Sequence, residues 1–236
     1  MLTILRRKWN SRFVGQIRFL IKTDLLGFFK TILFNLKYLP LRQAIRLPVF
    51  ISGNTIIGYC HKGFYNGCGK TGDLTFGIID KEYVYPKPCH LRIFGTIVTY
   101  GEGMHAFGPG CIIAIYNNAK LKLGNEFAVS YDLHISCSDS ISIGKNNMWS
   151  YGIDIRDTDG HPIRNDDNVR VNCNKPIVIG NKVWIGNRCQ ILKGVTIADN
   201  TIISSSSIVT KSQLDSNMII ASYGKVIKNF HSWGRY

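Results

Sequence analysis

Six branched apolar residues fall at a spacing of six: Ile179, Ile185, Ile191, Ile197, Ile203 and Val209. An α-helix repeats at about 3.6 residues and a flat strand at about 2, so a period of six describes a chain that turns a corner every six residues. Residues 177–212 divide into the units IVIGNK, VWIGNR, CQILKG, VTIADN, TIISSS and SIVTKS, with the apolar residue third in each. The spacing predicts a strand of about four residues per unit, with the third side chain pointing inward onto its copy one coil away. Three sides then make a coil of eighteen residues, so 177–212 holds about two coils of a parallel β-helix. Gly180, Gly186, Asn181, Asn187, Asp199 and Asn200 are expected at the corners, where left-handed backbone costs glycine nothing and Asn or Asp little.

The step continues upstream. Leu123, Val129 and Ile135 keep it, and after a two-residue slip Ile143, Trp149 and Ile155 resume it. Around Ile93, Ile97, Cys111 and Ile113 the chain is strand-like, punctuated by Gly101, Gly103, Gly108 and Gly110, but its register is open. Between Ile155 and Ile179 stands one polar interruption, DTDGHPIRNDDNVRVNCNK, whose charges have no place in a narrow core and which must leave the prism as a loop. The organisation expected is a helical segment over 1–46, irregular early coils over 47–120, and regular coils over 121–212 with an excursion at 157–176. A tail is expected over 213–236.

Charge changes the picture at the N-terminus. Of the net +14 at pH 7, residues 1–46 carry +9, ten Lys or Arg against Asp24 alone. The same stretch holds Phe13, Val14, Ile17, Phe19, Leu20, Ile21, Leu25, Leu26, Phe28, Phe29, Ile32, Leu33 and Phe34. Lys22, Asp24 and Lys30 interrupt it too often for a transmembrane span of about twenty apolar residues. No signal-peptide pattern with a small-residue cleavage site follows it. A basic, aromatic-rich amphipathic helix suits the plane of an anionic membrane surface; it equally suits packing on the prism or on a neighbouring subunit. Nothing resembles a nucleic-acid-reading module. The 236 residues are 45% hydrophobic, enough for a substantial core. Seven cysteines without a Cys-x-x-Cys pair read as reduced thiols, and Cys60, His61, Cys68, Cys89 and His90 lack recognisable zinc spacing.

The hexapeptide period, the loop segment Asp157-Thr158-Asp159-Gly160-His161-Pro162-Ile163 and the downstream Lys182-Val183-Trp184-Ile185-Gly186 resemble the hexapeptide-repeat sugar O-acetyltransferases, such as galactoside, maltose, capsule and O-antigen acetyltransferases. The match is close from about 120 to 230 and looser before it. The resemblance implies an all-β fold, a left-handed parallel β-helix, in a homotrimer with acetyl-CoA and a sugar or glycan acceptor meeting in a groove between two subunits. No metal is expected, and the reading is of a cytoplasmic protein without a nucleic-acid partner, which the basic helix would hold at the inner face of the plasma membrane unless that helix packs on the trimer. The resemblance places the catalytic histidine at His161. Trp184, Asn187 and the stretch from Ser204 to Lys211, including Ser205, Thr210 and Lys211, fall along the coenzyme, with Lys211 and Lys225 as partners for its phosphates.

The chemistry suits those residues. A sugar hydroxyl is a poor nucleophile near neutral pH, and an imidazole can take its proton as the oxygen attacks a thioester. Asp157 or Asp159 would orient the imidazole and stabilise the cation, though Asp159-Gly160 equally suits a turn. Two departures bear on the donor: Ser204-Ser205-Ser206-Ser207 stands where the family often has Gly-Ala-Gly-Ser, and Ala221-Ser222-Tyr223-Gly224-Lys225 where it has Gly-Asn-Pro-Ala-Lys. Two other classes share the scaffold, a non-catalytic β-helical assembly subunit and a γ-carbonic-anhydrase-like zinc enzyme. The six histidines offer the latter no closely spaced pair.

Overall fold

The six-residue steps stack in register: Ile179 pairs with Ile197, Ile185 with Ile203 and Ile191 with Val209, each partner eighteen positions on. In this computed structural model, which describes residues 15, 17–18, 21–22, 24–78 and 87–233, these pairs are rungs of a three-sided parallel β-helix. Side one carries β1 (Val49–Ile51), β4 (Leu74–Phe76), β7 (His105–Phe107), the first halves of β10 (Phe127–Cys137) and β12 (Met148–Arg156), β14 (Trp184–Ile185), β17 (Ile202–Ile203) and β19 (Met218–Ile220). Side two carries β2 (Ile56–Cys60), β5 (His90–Ile93), β8 (Ile112–Ile115), the second halves of β10 and β12, β15 (Gln190–Leu192) and β18 (Ile208–Val209). Side three is β3 (Tyr65–Asn66), β6 (Thr96–Thr99), β9 (Lys120–Leu123), β11 (Ser140–Ile143), β13 (Ile177–Ile179) and β16 (Thr196–Ile197).

Coil length varies upstream, which is why the register there is hard to read from sequence. Ile135 pairs with Ile155 twenty positions on, and Ile113 with Ile135 twenty-two positions on. Ile155 pairs with Ile191 across thirty-six, so the excursion adds eighteen residues to one coil. The inward set is also larger than the third position. Ile177, Val183, Cys189, Val195, Thr201 and Ser207, the first residue of each unit, are buried too.

The corners differ from expectation. Left-handed backbone falls on the last residue of the unit, at Lys182, Arg188, Gly194, Asn200 and Ser206, so of the six residues expected to adopt it only Asn200 does. Gly180 and Gly186 are needed for close approach instead. A Cβ on Gly180 would lie 2.7 Å from the Asp199 backbone nitrogen, and one on Gly186 2.7 Å from that of Ser205. The coils touch there through backbone, which only glycine permits.

The N-terminal end is closed by α1 (Leu25–Tyr38), which takes the place of a missing coil. Asp24 caps it, accepting from Gly27 N at 2.7 Å and from Gly53 N at 2.7 Å. Thr31 and Asn35, one turn apart, satisfy the free edge of β1. Thr31 Oγ1 takes the Ile51 N–H at 3.0 Å, while Asn35 Nδ2 donates to Val49 O at 2.6 Å and its Oδ1 accepts from Val49 N at 3.2 Å. Four helical residues rise roughly 6 Å and two strand residues roughly 6.6 Å, so an i, i+4 pair of polar side chains matches the strand's repeat. A short α2 (Leu41–Ala44) follows. Most of the basic segment before Asp24, including Arg6, Arg7, Lys8 and Arg12, lies outside the described residues.

At the other end, the segment expected as a tail continues the prism. Ile220 of β19 pairs with Ile203, and β20 (Val226–Asn229) folds back antiparallel on β19. Inside the early coils a polar group replaces apolar packing: the buried Asp73 carboxylate accepts from Thr99 at 2.6 Å and from Tyr65, and faces His105 at 3.3 Å. Burial opposes its ionisation, but the hydrogen bonds from His105, Thr99 and Tyr65 outweigh that and hold its carboxyl below the usual carboxylate range.

Candidate active site

The excursion leaves the prism at the edge between sides two and three, where β12 hands over to β13, and it is tied down at three points. At its root the buried Asp157 carboxylate accepts from Ser138 N at 2.7 Å and Asp139 N at 2.8 Å, fastening the loop to the coil before it. Burial raises the Asp157 carboxyl above its ordinary value, opposed by those two amides. Across the loop, the buried Asn172 accepts from Ile163 N at 2.6 Å and donates both to His161 O and to Asp159, each at 2.8 Å. Lys193, one coil on, pairs with Asp159; the Lys193 and Asn172 contacts hold that carboxyl below its ordinary value. Within the loop Arg164 and Arg170 form an antiparallel bridge, making the arm a narrow hairpin.

This bracing fixes the backbone of His161, which is exposed just before the hairpin that the Arg164–Arg170 bridge closes. Both candidate orienting carboxylates are used otherwise in this chain: Asp157 holds the loop root and Asp159 the hairpin. Next to His161, Gly160 lines a cavity of about 520 Å³, together with Thr158 from the loop root, Ser138 from the coil before it and Arg92 from β5. Sequence reasoning missed Asn172, Lys193 and Arg92. Asn172 and Lys193 carry no local motif, and Arg92 reaches the site only because coils of unequal length stack.

The candidate coenzyme residues divide between two edges. Asn187 and Ser205 lie at the corners between sides one and two, where Ser206 N donates to Asn187 O at 2.8 Å and Asn187 Nδ2 to Tyr151 Oη at 3.2 Å. Lys225 is exposed near the same edge, beside Ser222, whose Oγ accepts from Ile208 N at 3.1 Å. Trp184 points outward from side one with 39% exposure, its ring 6.1 Å from that of Trp233, which donates to Lys182 O at 2.8 Å. Thr210 and Lys211 are exposed on the edge that carries His161, one coil beyond Leu192 and Lys193. Within one chain, therefore, His161, Asp157, Asp159, Thr210 and Lys211 share one edge, and Asn187, Ser205 and Lys225 share another.

Residues 176–211 match the family model for the bacterial transferase hexapeptide (six repeats). The chain is 33% identical over 107 residues to the polysialic acid O-acetyltransferase of Neisseria meningitidis, covering 44% of this chain and 50% of that protein. It is 36% identical over 96 residues to the galactoside O-acetyltransferase of Escherichia coli (strain K12), covering 39% and 46% respectively. The chain thus spans about half the length of these curated relatives. Among solved structures, the polySia specific acetyltransferase NeuO overlaps 80% of this chain and 88% of that one at a TM-score of 0.49 and 22% identity. The coils at 176–211 are hexapeptide transferase repeats of a left-handed parallel β-helix, and the chain is similar to sugar O-acetyltransferases.

Proposed function

We propose that this protein transfers an acetyl group from acetyl-CoA to a hydroxyl of a sugar in a surface polysaccharide or lipid-linked glycan precursor, with His161 as general base. The observation that carries the reading is an exposed histidine on a braced loop, next to a residue that lines a cavity, in a chain whose repeats match the bacterial transferase hexapeptide and which is similar to sugar O-acetyltransferases. The imidazole takes the hydroxyl proton as the sugar oxygen attacks the thioester carbonyl; collapse expels the coenzyme thiolate, which takes the proton back. No covalent acyl-enzyme is required. Backbone amides, rather than a side chain, would stabilise the oxyanion.

The two-edge division of the candidate residues supports a homotrimer. Three prisms packed around an axis set the His161 edge of one copy against the Asn187 edge of the next, so the donor groove lies between subunits and acceptor and coenzyme meet there. The expected measurements are a trimer by sedimentation, acetyl-CoA binding by calorimetry, and acetylation of at least one sugar in a panel of activated and lipid-linked glycans. A chain that binds no acetyl-CoA would instead be a non-catalytic assembly subunit.

The exposed side of α1 supports a peripheral place at an anionic membrane surface. Leu26, Phe29, Leu33 and Leu36, spaced along one helix face, are 51–67% exposed, and Leu41 and Ile45 extend the patch. Among the described residues no helix is long and apolar enough to cross a membrane. A face of this kind within a segment of +9 charge lies in the interface with its cations at the headgroups. The triple variant Leu26→Ser, Phe29→Ser, Leu33→Ser spares Thr31, Phe34 and Asn35, which pack on the prism. It is expected to lower co-sedimentation with phosphatidylserine-containing vesicles about tenfold or more, whereas unchanged binding would assign that face to another copy of the chain.

A further inference from the structure

The cavity beside His161 has a composition that a neutral sugar hydroxyl does not require. Two of its lining residues are arginines, Arg92 from β5 and Arg170 from the loop, and no carboxylate stands among its lining residues. The stem of Arg92 lies over Gly58, where a Cβ would sit 3.3 Å from Arg92 Cγ. Arg170 donates to Asn174 Oδ1 at 3.1 Å from one terminal nitrogen, while its Nε is buried without a hydrogen-bond partner. Of the loop's acids, Asp157 is committed to two backbone amides and Asp159 to Lys193 and Asn172, while Asp166 and Asp167 are exposed in the hairpin turn and do not line the cavity. Asp139 is exposed in the turn beyond Ser138 and does not line the cavity.

The same cavity has an aromatic wall. Phe94 is braced from behind by Tyr59, the rings stacked at 4.2 Å and 12°, and Tyr116 stands beside it with 45% of its surface exposed. Aromatic faces take the apolar C–H face of a sugar ring, and paired guanidinium groups take a planar anion through charge-assisted hydrogen bonds. From this we infer that the acceptor is an acidic sugar, whose ring lies on Phe94 and Tyr116 and whose anionic group, a carboxylate or a phosphate, is held by Arg92 and Arg170. Gly160 lines the cavity and His161 follows it in the chain, so the bound ring would lie beside the residue read as the general base.

The inference rests on the reading of the His161 edge as an acetyl-transfer site, and the test separates the two. Initial rates are measured with oligomers of sialic acid and of glucuronic acid, with their carboxyl-reduced counterparts, and with sugar 1-phosphates, using the full chain and its Arg92→Gln, Arg170→Gln and double variants. An acidic acceptor is expected to be favoured about tenfold or more in kcat/KM over its neutral counterpart. Each single variant raises KM for the acid about tenfold with kcat little changed, and the double variant abolishes the preference; Arg92→Lys restores part of it. The KM for acetyl-CoA stays at the parent value in all of them. Whether the carboxylates or the phosphates show the Arg-dependent preference identifies the anion. Equal rates on acidic and neutral acceptors, a preference that survives the double substitution, or a loss confined to acetyl-CoA binding would overturn the inference. If no acceptor is acetylated, calorimetry of the acidic oligomers against parent and double variant decides it. Arginine-dependent binding keeps the anion site while the transfer reading fails, and no such binding overturns the site.

Discussion

Replacing His161 with alanine is expected to lower acetyl transfer by about 10²–10⁴-fold, the range general-base catalysis contributes. The loss should appear in kcat and in kcat/KM alike, because proton removal matters only as the hydroxyl oxygen attacks. Thermal stability and acetyl-CoA affinity should stay near the parent values. The imidazole is exposed, and the contact that fixes residue 161 runs from Asn172 to its backbone carbonyl, which alanine retains. That separation makes the experiment decisive. A variant with parental melting and coenzyme binding but near-normal turnover would remove His161 from the chemistry. Asn172→Ala supplies the contrast: it frees the loop backbone at Ile163 and His161 and the Asp159 carboxylate together, so its loss in kcat is expected to be partial and accompanied by a lower melting temperature.

The fold was legible in the chain where identical side chains had to stack at a constant step, and it faded where they did not. Ile185 over Ile203 and Ile191 over Val209 are readable because every intervening unit has six residues. Upstream the same inward column is occupied by Phe76, Phe107, Val129 and Trp149 over coils of unequal length, so the register emerges only from the pairing. Inward first positions such as Cys189, Thr201 and Ser207 escaped because small polar residues do not read as core, although the prism buries them completely or nearly so. Glycines were placed at the corners for their torsional freedom, whereas Gly180 and Gly186 are fixed by the distance between coils, a quantity no local pattern contains. The loop and His161 stood out by polarity and motif. Arg92 and Tyr116 did not, since residues twenty-four apart in sequence become neighbours only through the stacking of β5 on β8.

The second large effect concerns the join between irregular and regular coils. Trp149 is 1% exposed and meets Phe127 edge-on at 5.0 Å; Phe127 packs on Phe107 at 5.2 Å, and Phe107 stacks on Phe76 at 5.1 Å. On the next coil Trp149 pairs with Ile185, so this one side chain connects the aromatic column to the aliphatic one. Trp149→Ala is expected to cost about 3–5 kcal/mol, the loss of a fully buried aromatic plus the cavity it leaves. Trp149→Phe should cost far less. It keeps a ring against Phe127 and removes the indole N–H, which is buried without a hydrogen-bond partner. In a solenoid each coil is stabilised chiefly by its two neighbours, so a weak coil at position 149 separates the prism into halves that no longer unfold together. Denaturant unfolding at fixed protomer concentration should therefore show a lowered midpoint and a broadened or split transition for the alanine variant, and a single transition near the parent for phenylalanine. A Trp149→Ala protein within about 1 kcal/mol of the parent would mean that the coils relax into the vacated space, against the close packing of a prism whose walls are fixed by backbone contact at Gly144 and Gly180.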